Sequence, residues 1–416
     1  MSASRIHTPV LILGGGPGGC AAALRLAQLG VQATLIEKSH FPRDKVCGDA
    51  LSGKVMRSLE RLDADLAAKV VAEPRRMASR GVVFVAPGGR ALRVPFDRKA
   101  QDDEAPGAIL PRVVFDDILF QRVKATPGIQ VHEGSVARSF ERIPEGWSVK
   151  VHDTTITTPL ILDASGANSS FARSVAGLRM EPRHHAAGVR AYYSGVQGLD
   201  ADGFIELHFL KDLLPGYLWV FPLPGGRANV GLGLRSDVVR KRKTDLKKLL
   251  PRLLAEHPAL KERFAEARQE GAIEGMGLPM ASKRYPISGK GYLLVGDAAH
   301  LIDPFTGEGI SHALISGIHA AEVAAEMIAE GSVSASAAKR YDARVWKRLG
   351  QELAISARLQ GLADRAWLFD FVVDRANASP ALADTISAMF TDLDLRAKLK
   401  RPGFYMDLVL GRAARA

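Results

Sequence analysis

The chain is poor in thiols: Cys20 and Cys47 are the two cysteines among 416 residues. So few thiols point to a reducing compartment. The segment Met1 to Pro9 lacks the apolar core of a signal peptide, which makes the cytoplasm the expected location. Nor is any apolar run long enough to span a bilayer, although peripheral attachment at the inner membrane face stays open. Internal repeats and low-complexity tracts are missing. The length exceeds one average domain, so two domains, or one with a large insertion, are expected. Charge, by contrast, is in surplus, at +11 with a pI near 9.7. An anionic substrate, an anionic lipid surface or a solvated face would each account for it. The basic run Arg240, Lys241, Arg242, Lys243, Lys247, Lys248 reads as helical and has no interleaved aromatics, which argues against nucleic acid as a partner.

What is present begins with Thr8 to Lys38. An apolar run, Val10 to Leu13, meets Gly14-Gly15-Gly16-Pro17-Gly18-Gly19, then a small-residue helix, then a second apolar run ending at Glu37. Strand, glycine turn, helix and strand in that order are the context a dinucleotide fingerprint requires. Gly14 allows the tight turn, Gly16 lets backbone approach a pyrophosphate, and Gly19 lets helix and sheet pack closely. Free N–H groups and the dipole of the helix start favour a phosphate. Glu37, about twenty residues on, stands where a carboxylate accepts the hydroxyls of an adenosine ribose. Which dinucleotide is bound remains open at this point.

After Glu37 comes a turn-prone segment, His40 to Leu51, expected to pass near the cofactor, and then a helix from Ser52. Gly81 to Pro95 reads as a hairpin turning at Pro87-Gly88-Gly89. A helix follows Pro111, with strands at Ile129 to His132, Val136 to Phe140 and Trp147 to His152. Leu160 to Asp163 is again an apolar strand, ending in Ala164-Ser165-Gly166 at what would be a ligand-binding sheet edge. A second excursion holds strands at Gly188 to Ser194, Phe204 to Leu210, Tyr217 to Pro222 and Ala228 to Leu234, and a basic helical section from Val238 to about Ala265. Gly291 to Val295 returns as a buried strand stopping at Gly296-Asp297, and a long helix starts at Gly309. Residues 334–416 read as helical and amphipathic, and packing onto the nucleotide fold is favoured for them over resting on a bilayer.

Three segments, Gly14 to Glu37, Leu160 to Ser170 and Val295 to Gly309, together resemble the FAD-binding domain of the p-hydroxybenzoate hydroxylase-like flavoproteins. The resemblance implies an α/β fold: a Rossmann-like FAD-binding domain (1–76, 100–180 and 291–333), an inserted antiparallel-sheet substrate domain (77–99 and 181–290) and a helical C-terminal region (334–416). It implies that Asp297 bonds a ribityl hydroxyl, that Gly307 and Gly309 open a helix against the pyrimidine edge of the flavin, and that Arg112 and Glu37 contact the cofactor. Pro17, Gly18, Lys38, Cys47, Gly48, Val136, Gly296, Pro304 and Ile310 are expected alongside them. Negative charge near N1 and C2=O of a reduced flavin suits a helix N-terminus.

Lys45-Val46-Cys47-Gly48-Asp49-Ala50-Leu51 and Pro215-Gly216-Tyr217-Leu218-Trp219-Val220-Phe221-Pro222 resemble signatures of the geranylgeranyl reductase family, whose strand motif is Y-x-W-x-F-P. Residues two apart on a strand share a face, so Tyr217, Trp219 and Phe221 form one aromatic wall. The resemblance implies hydride transfer from reduced FAD to a C=C bond of a prenyl-type lipid, with Cys47 tuning the flavin face or relaying a proton. Where hydroxylases of the superfamily have Asp-Gly followed by Ser and Arg, Ser165 replaces the Asp and Ala172 the first Arg. Halogenases share the Asp-Ala-Ser-Gly version but resemble one another at a W-x-W-x-I-P strand and supply a Lys that Met77 to Gly89 lacks. A flavin monooxygenase or halogenase, and a non-catalytic prenyl-lipid escort, are the alternatives. A second glycine-turn unit is missing, so electrons are expected from a transient NAD(P)H or from a redox protein.

Overall fold

The computed structural model describes residues 4–96, 105–362 and 364–379. Its centre is a six-stranded sheet ordered Ser288–Gly289, Tyr292–Leu294, Leu160–Asp163, Val10–Leu13, Ala33–Ile36, Ile129–His132. All neighbours are parallel except the Ser288–Gly289 edge. Helices cover the sheet, so its inner strands are apolar runs rather than alternating patterns. Val10–Leu13 and Leu160–Asp163 are buried at every position. Helices Pro17–Gln28 and Ile310–Ala329 cross in close contact, because a Cβ on Gly317 would stand 2.3 Å from the Gly18 carbonyl oxygen.

A second sheet, of four strands, contains two that the sequence reading passed over: Ser4–His7 and Thr154–Thr158, which pair in parallel. Each has a single large apolar residue, Ile6 or Ile156, so neither shows apolar periodicity. The third sheet has seven strands, ordered Arg268–Pro279, His185–Ser194, Arg227–Arg235, Tyr217–Leu223, Ile205–His208, Gly81–Val85, Ala91–Pro95. Every neighbour is antiparallel except the Ile205–His208 and Gly81–Val85 pair. Leu218 and Val220 face a core completed by Leu250, Leu253 and Leu254 of helix Leu246–Glu256. Trp219 and Phe221 face the opposite side, as period-two geometry requires. A short sheet of Ala50–Leu51, Gly107–Ile109 and Met77–Ser79 lies beside them.

The single helical section expected from Val238 to about Ala265 is two helices, Ser236–Arg242 and Leu246–Glu256, separated at Lys243 in a left-handed conformation. Strand Arg268–Pro279 was not anticipated. It is an edge strand with glycines at 271, 275 and 277 and a register irregularity opposite Arg190 and Tyr192. Glycine-broken, polar edge strands carry little pattern.

Helix Ala335–Leu362 docks on the parallel sheet, its Tyr341 hydroxyl donating to the Leu294 carbonyl at 2.5 Å. Helix Ala366–Ala378 lies against the seven-stranded sheet through Phe369, stacked on Phe209 at 4.3 Å. The rest of the expected helical region, 380–416, is outside the described residues. Among the described residues, no helix is long and apolar enough to cross a membrane.

Candidate functional site

The glycine turn separates positions fixed by the chain's own packing from one left open. Gly14 has φ +98°, and a Cβ there would lie 2.6 Å from the Ala164 oxygen. On Gly19 it would lie 1.9 Å from the Gly14 oxygen, and on Gly18 2.7 Å from Val295. Gly16 differs: the one atom such a Cβ would find within 4 Å is a guanidinium nitrogen of Arg43, at 3.7 Å. Gly16 caps helix Pro17–Gln28 without any side-chain hydrogen bond, and no acid occupies the first turn. The orphan N–H groups, the dipole and Arg43 thus surround an open cradle suited to an anion. Arg43, to which the sequence reading gave no role, is aligned by Asp116 at 2.7 Å.

Glu37 is buried and clasps the turn, accepting from Gly15 N at 2.7 Å and Ser39 N at 2.9 Å. Lys38 is exposed beside it. Val136, 44% exposed, follows Ser135, whose N–H donates to the Glu37 carbonyl. Glu37, Lys38 and Val136 therefore gather at the carboxyl end of Ala33–Ile36, away from the aromatic strand.

Of the remaining expected residues, all but Gly296 and Pro304 line one cavity between the two large sheets. Pro17, Lys45, Cys47, Gly48 and Arg112 line it from the nucleotide side, with Asp297, Gly307, Gly309 and Ile310. Tyr217, Trp219 and Phe221 line it from the seven-stranded sheet. Gly296 and Pro304 stand behind the wall: Gly296 takes φ +59° against Ala313, and the Pro304 carbonyl accepts from Gln360. His300, to which no chemistry was assigned, packs edge-on against Tyr285.

Asp297 and Arg112 are among the charged groups that line the cavity. Burial alone would raise Asp297, but the Lys45 ammonium at 2.9 Å, helped by Arg112, holds its carboxyl below the ordinary range. Burial opposes the Arg112 charge as well, yet Asp116, bonded to Nε and to Nη2 at 2.7 Å each, keeps the guanidinium firmly charged. Gly309 begins helix Ile310–Ala329 with no side-chain cap, leaving that helix start open toward the cavity.

The Cys47 loop and the aromatic strand are joined by a buried polar network. Asn229 accepts from Trp219 Nε1 at 2.9 Å and donates to the Cys47 carbonyl at 2.8 Å and to Asp49 at 2.7 Å. Asp49 also accepts from the Tyr192 hydroxyl at 2.7 Å. Burial pushes Asp49 up to about 6, against the pull of these hydrogen bonds and of Arg190 and Arg112. A Cβ on Gly48 would lie 2.7 Å from the Phe221 ring, so glycine lets the wall press onto the loop. Tyr217 donates to the Thr306 carbonyl at 2.5 Å, anchoring the other end of the strand beside Gly307. The sequence signal for this network was a lone Asn in the apolar strand Arg227–Arg235, since a buried amide must find partners.

The uncapped helix start at Gly16 with Arg43, the Glu37 clasp and the second open helix start at Gly309 fit an extended dinucleotide with a flavin at the aromatic end. The family model described as FAD binding domain matches residues 7–200. The digeranylgeranylglycerophospholipid reductase of Methanocaldococcus jannaschii is 31% identical, over 94% of this chain and 94% of that protein. A menaquinone reductase of Mycobacterium tuberculosis is 29% identical, over 76% of each chain. Among solved structures, a geranylgeranyl bacteriochlorophyll reductase-like protein of Thermoplasma acidophilum superposes with a TM-score of 0.81 at 25% identity, covering 98% of both chains.

Proposed function

The chain belongs to the geranylgeranyl reductase family of FAD-dependent oxidoreductases, and on that premise we propose that it saturates isolated C=C bonds in a geranylgeranyl or polyprenyl lipid. One observation carries the reading: the Tyr217, Trp219 and Phe221 wall and the open helix start at Gly309 face a single cavity. FAD, when bound and reduced, supplies a hydride from N5. The chain's residues do the rest. Gly16 and Arg43 hold the pyrophosphate, Glu37 the ribose, and Asp297 the ribityl chain. The N-terminus of Ile310–Ala329 favours negative charge at the pyrimidine edge. An isolated alkene has no carbonyl to polarise, so orientation, dryness and a placed proton donor must lower the barrier. The aromatic wall orients the chain and excludes water, while the Cys47 thiol, half-buried beside Arg112, faces the same space.

Electrons come from a reduced nicotinamide visiting from solution or from a redox protein. The lipid is drawn from a membrane surface beside helix Ala366–Ala378, where Trp367 is 63% exposed and Phe369 stacks on Phe209, whose ring lies 5.8 Å from that of the cavity-lining Tyr217.

Anaerobic incubation of dithionite-reduced protein with prenyl diphosphates, menaquinones and unsaturated ether lipids, read by mass spectrometry, tests the proposal. The expected product gains two hydrogens per reduced bond. Oxygen uptake with an oxygenated or halogenated product would replace the reading by a monooxygenase or halogenase. Failure to take up FAD would leave an escort role.

A further inference from the structure

Behind the Gly307–Ile310 end of the cavity lies a buried ionic cluster that the proposed function leaves unused. Glu308 lines the cavity and accepts from Ser52 and Ser311 hydroxyls. Its Oε2 lies 3.5 Å from the Lys54 ammonium, which is also paired with Glu352. His312 Nε2 lies 3.6 Å from Glu352 Oε1. Lys54 is 4% exposed, Glu352 1% and His312 0%. Three helices, Gly53–Leu62, Ile310–Ala329 and Ala335–Leu362, bring these groups together.

Hydrogen bonding fixes one proton of His312, and the surrounding charges favour the second. Its Nδ1 meets the Leu301 carbonyl at 2.6 Å, and a carbonyl only accepts, so Nδ1 donates. In a neutral ring Nε2 would then present a lone pair to a carboxylate, with no hydrogen-bond partner of its own. A proton on Nε2 removes that conflict and neutralises the cluster, two carboxylates against one ammonium and one imidazolium. Burial opposes the charge on His312, but Glu352 and Glu308 outweigh both burial and the repulsion from Lys54, and raise it above the ordinary histidine range. Glu308, His312 and Glu352 alone could surround a cation, their ligand atoms lying within 4.8 Å of one another. The Lys54 ammonium already supplies that charge.

We propose that Glu308, Lys54, Glu352 and His312 form a proton store for the cavity, with Glu308 as the group that protonates the alkene carbon not receiving the hydride. The inference rests on the alkene reduction proposed above. The step balances: one C=C takes one hydride from the reduced cofactor and one proton from Glu308, forming two C–H bonds. The proton leaves His312 and reaches Glu308 through Glu352 and Lys54 in one relay, each group giving a proton as it takes one, so that Lys54 stays an ammonium. The store ends with His312 neutral and refills with one proton from water. Burial would raise Glu308, but Lys54 and His312 hold it at about 2, so it rests as a carboxylate and carries the proton only in transit to the alkene.

Two measurements on the full-length FAD-loaded protein test this. Imidazole NMR of histidine-labelled protein, with the His312 resonance assigned by its loss in His312→Gln, should show that ring protonated above the ordinary pKa of about 6.5. The value should fall in Glu352→Gln. A neutral His312 at pH 6 overturns the store. Single-turnover reoxidation of the dithionite-reduced protein by geranylgeranyl diphosphate should slow about 100-fold or more in Glu308→Gln. FAD content should be unchanged there, and Glu308→Asp should recover part of the rate. The rate should fall as rising pH discharges the His312 imidazolium, and His312→Gln should remove that dependence. Glu308→Gln within about threefold of the parent protein overturns the delivery role. If the parent protein reduces no prenyl substrate, the functional reading fails and delivery with it, while the imidazole titration still decides whether the cluster holds a proton.

Discussion

Replacing Asn229 tests whether the loop and the aromatic wall are one mechanical unit. Asn229 is fully buried and makes three hydrogen bonds, to Trp219, the Cys47 carbonyl and Asp49. Asn229→Leu keeps the approximate volume and strands Trp219 Nε1 and the Cys47 carbonyl, while Asp49 keeps the Tyr192 hydroxyl. Each buried polar group left unsatisfied costs about 1–3 kcal/mol, so a loss of about 2–6 kcal/mol is expected. Asn229→Asp separates electrostatics from packing. It keeps the acceptor for Trp219 but sets a second carboxylate against Asp49. Asp49 already has a folded pKa raised by burial to about 6 from 3.8. Its contribution to stability is therefore present below the unfolded value and is lost as pH rises through about 6, a swing of about 3 kcal/mol. Below that pH one proton can be shared between the two carboxyls, so the penalty of Asn229→Asp should shrink markedly from pH 8 to pH 5. Urea unfolding of the FAD-loaded protein, followed by tryptophan and flavin fluorescence, reads both effects. A cost under about 1 kcal/mol for Asn229→Leu, or an equal cost of Asn229→Asp at both pH values, would refute the reasoning.

Trp219→Ala should lower kcat/KM for prenyl reduction at least about 10-fold while bound FAD stays near stoichiometric, since the indole faces the cavity rather than the pyrophosphate cradle; equal loss of activity and flavin would make the strand structural. Gly16→Ala and Gly19→Ala should diverge. The first leaves the apoprotein within about 0.5 kcal/mol of the parent but weakens FAD binding, whereas the second forces a Cβ to 1.9 Å from the Gly14 oxygen and should yield unstable, flavin-free protein. Flavin absorbance and apoprotein melting distinguish them. Lys45→Met removes the ammonium that keeps Asp297 ionised. The stabilisation from that depressed pKa is present above the unfolded value and lost as pH falls through the folded one. FAD release on acidification should therefore begin at higher pH in the variant, as a flavin fluorescence titration would read.

The nucleotide half was legible because its information is local. Val10–Leu13, the turn and Glu37 fall within thirty residues, and apolar run, glycine and acid each have one common structural use. The places of Asp297 after a buried strand and of Gly309 at the start of a long helix were legible for the same reason. The helices of the C-terminal region announced themselves by periodicity, but nothing in the sequence said that Glu352 would meet Lys54, 298 residues earlier. Asn229 reaches Cys47 across 182 residues. Contacts of that kind depend on sheet register: Trp219 stands opposite Gly231, where a Cβ would lie 2.3 Å from the indole. Only once that pairing exists does Asn229, two residues along, fall within reach of Trp219 Nε1. The strands missed, Ser4–His7, Thr154–Thr158 and Arg268–Pro279, are edge or polar strands whose stability comes from partners rather than from their own pattern.

The loop from His40 to Leu51 is held from both sides, and that has a thermodynamic consequence. Toward the nucleotide fold it is fixed by Phe41 stacked on Phe120 at 3.9 Å, by Arg43 on Asp116 and by Lys45 on Asp297. Toward the seven-stranded sheet it is fixed by Asp44 on Arg190 and by Asp49 on Tyr192 and Asn229. Arg43 and Lys45 alternate along the chain with Asp44, so neighbouring residues pull on opposite frames. A cofactor that engages Arg43 and Asp297 therefore acts on the same segment that positions Gly48 against Phe221. Coupling between two sites is reciprocal: if FAD tightens this loop and so tightens lipid binding, lipid must tighten FAD binding by the same factor. Removing one of the sheet-side ties with Arg190→Met should reduce that mutual factor while leaving Gly16 and Arg43 in place. A lipid-induced change in FAD affinity that persists undiminished in Arg190→Met would place the coupling in the shared cavity wall instead of the loop.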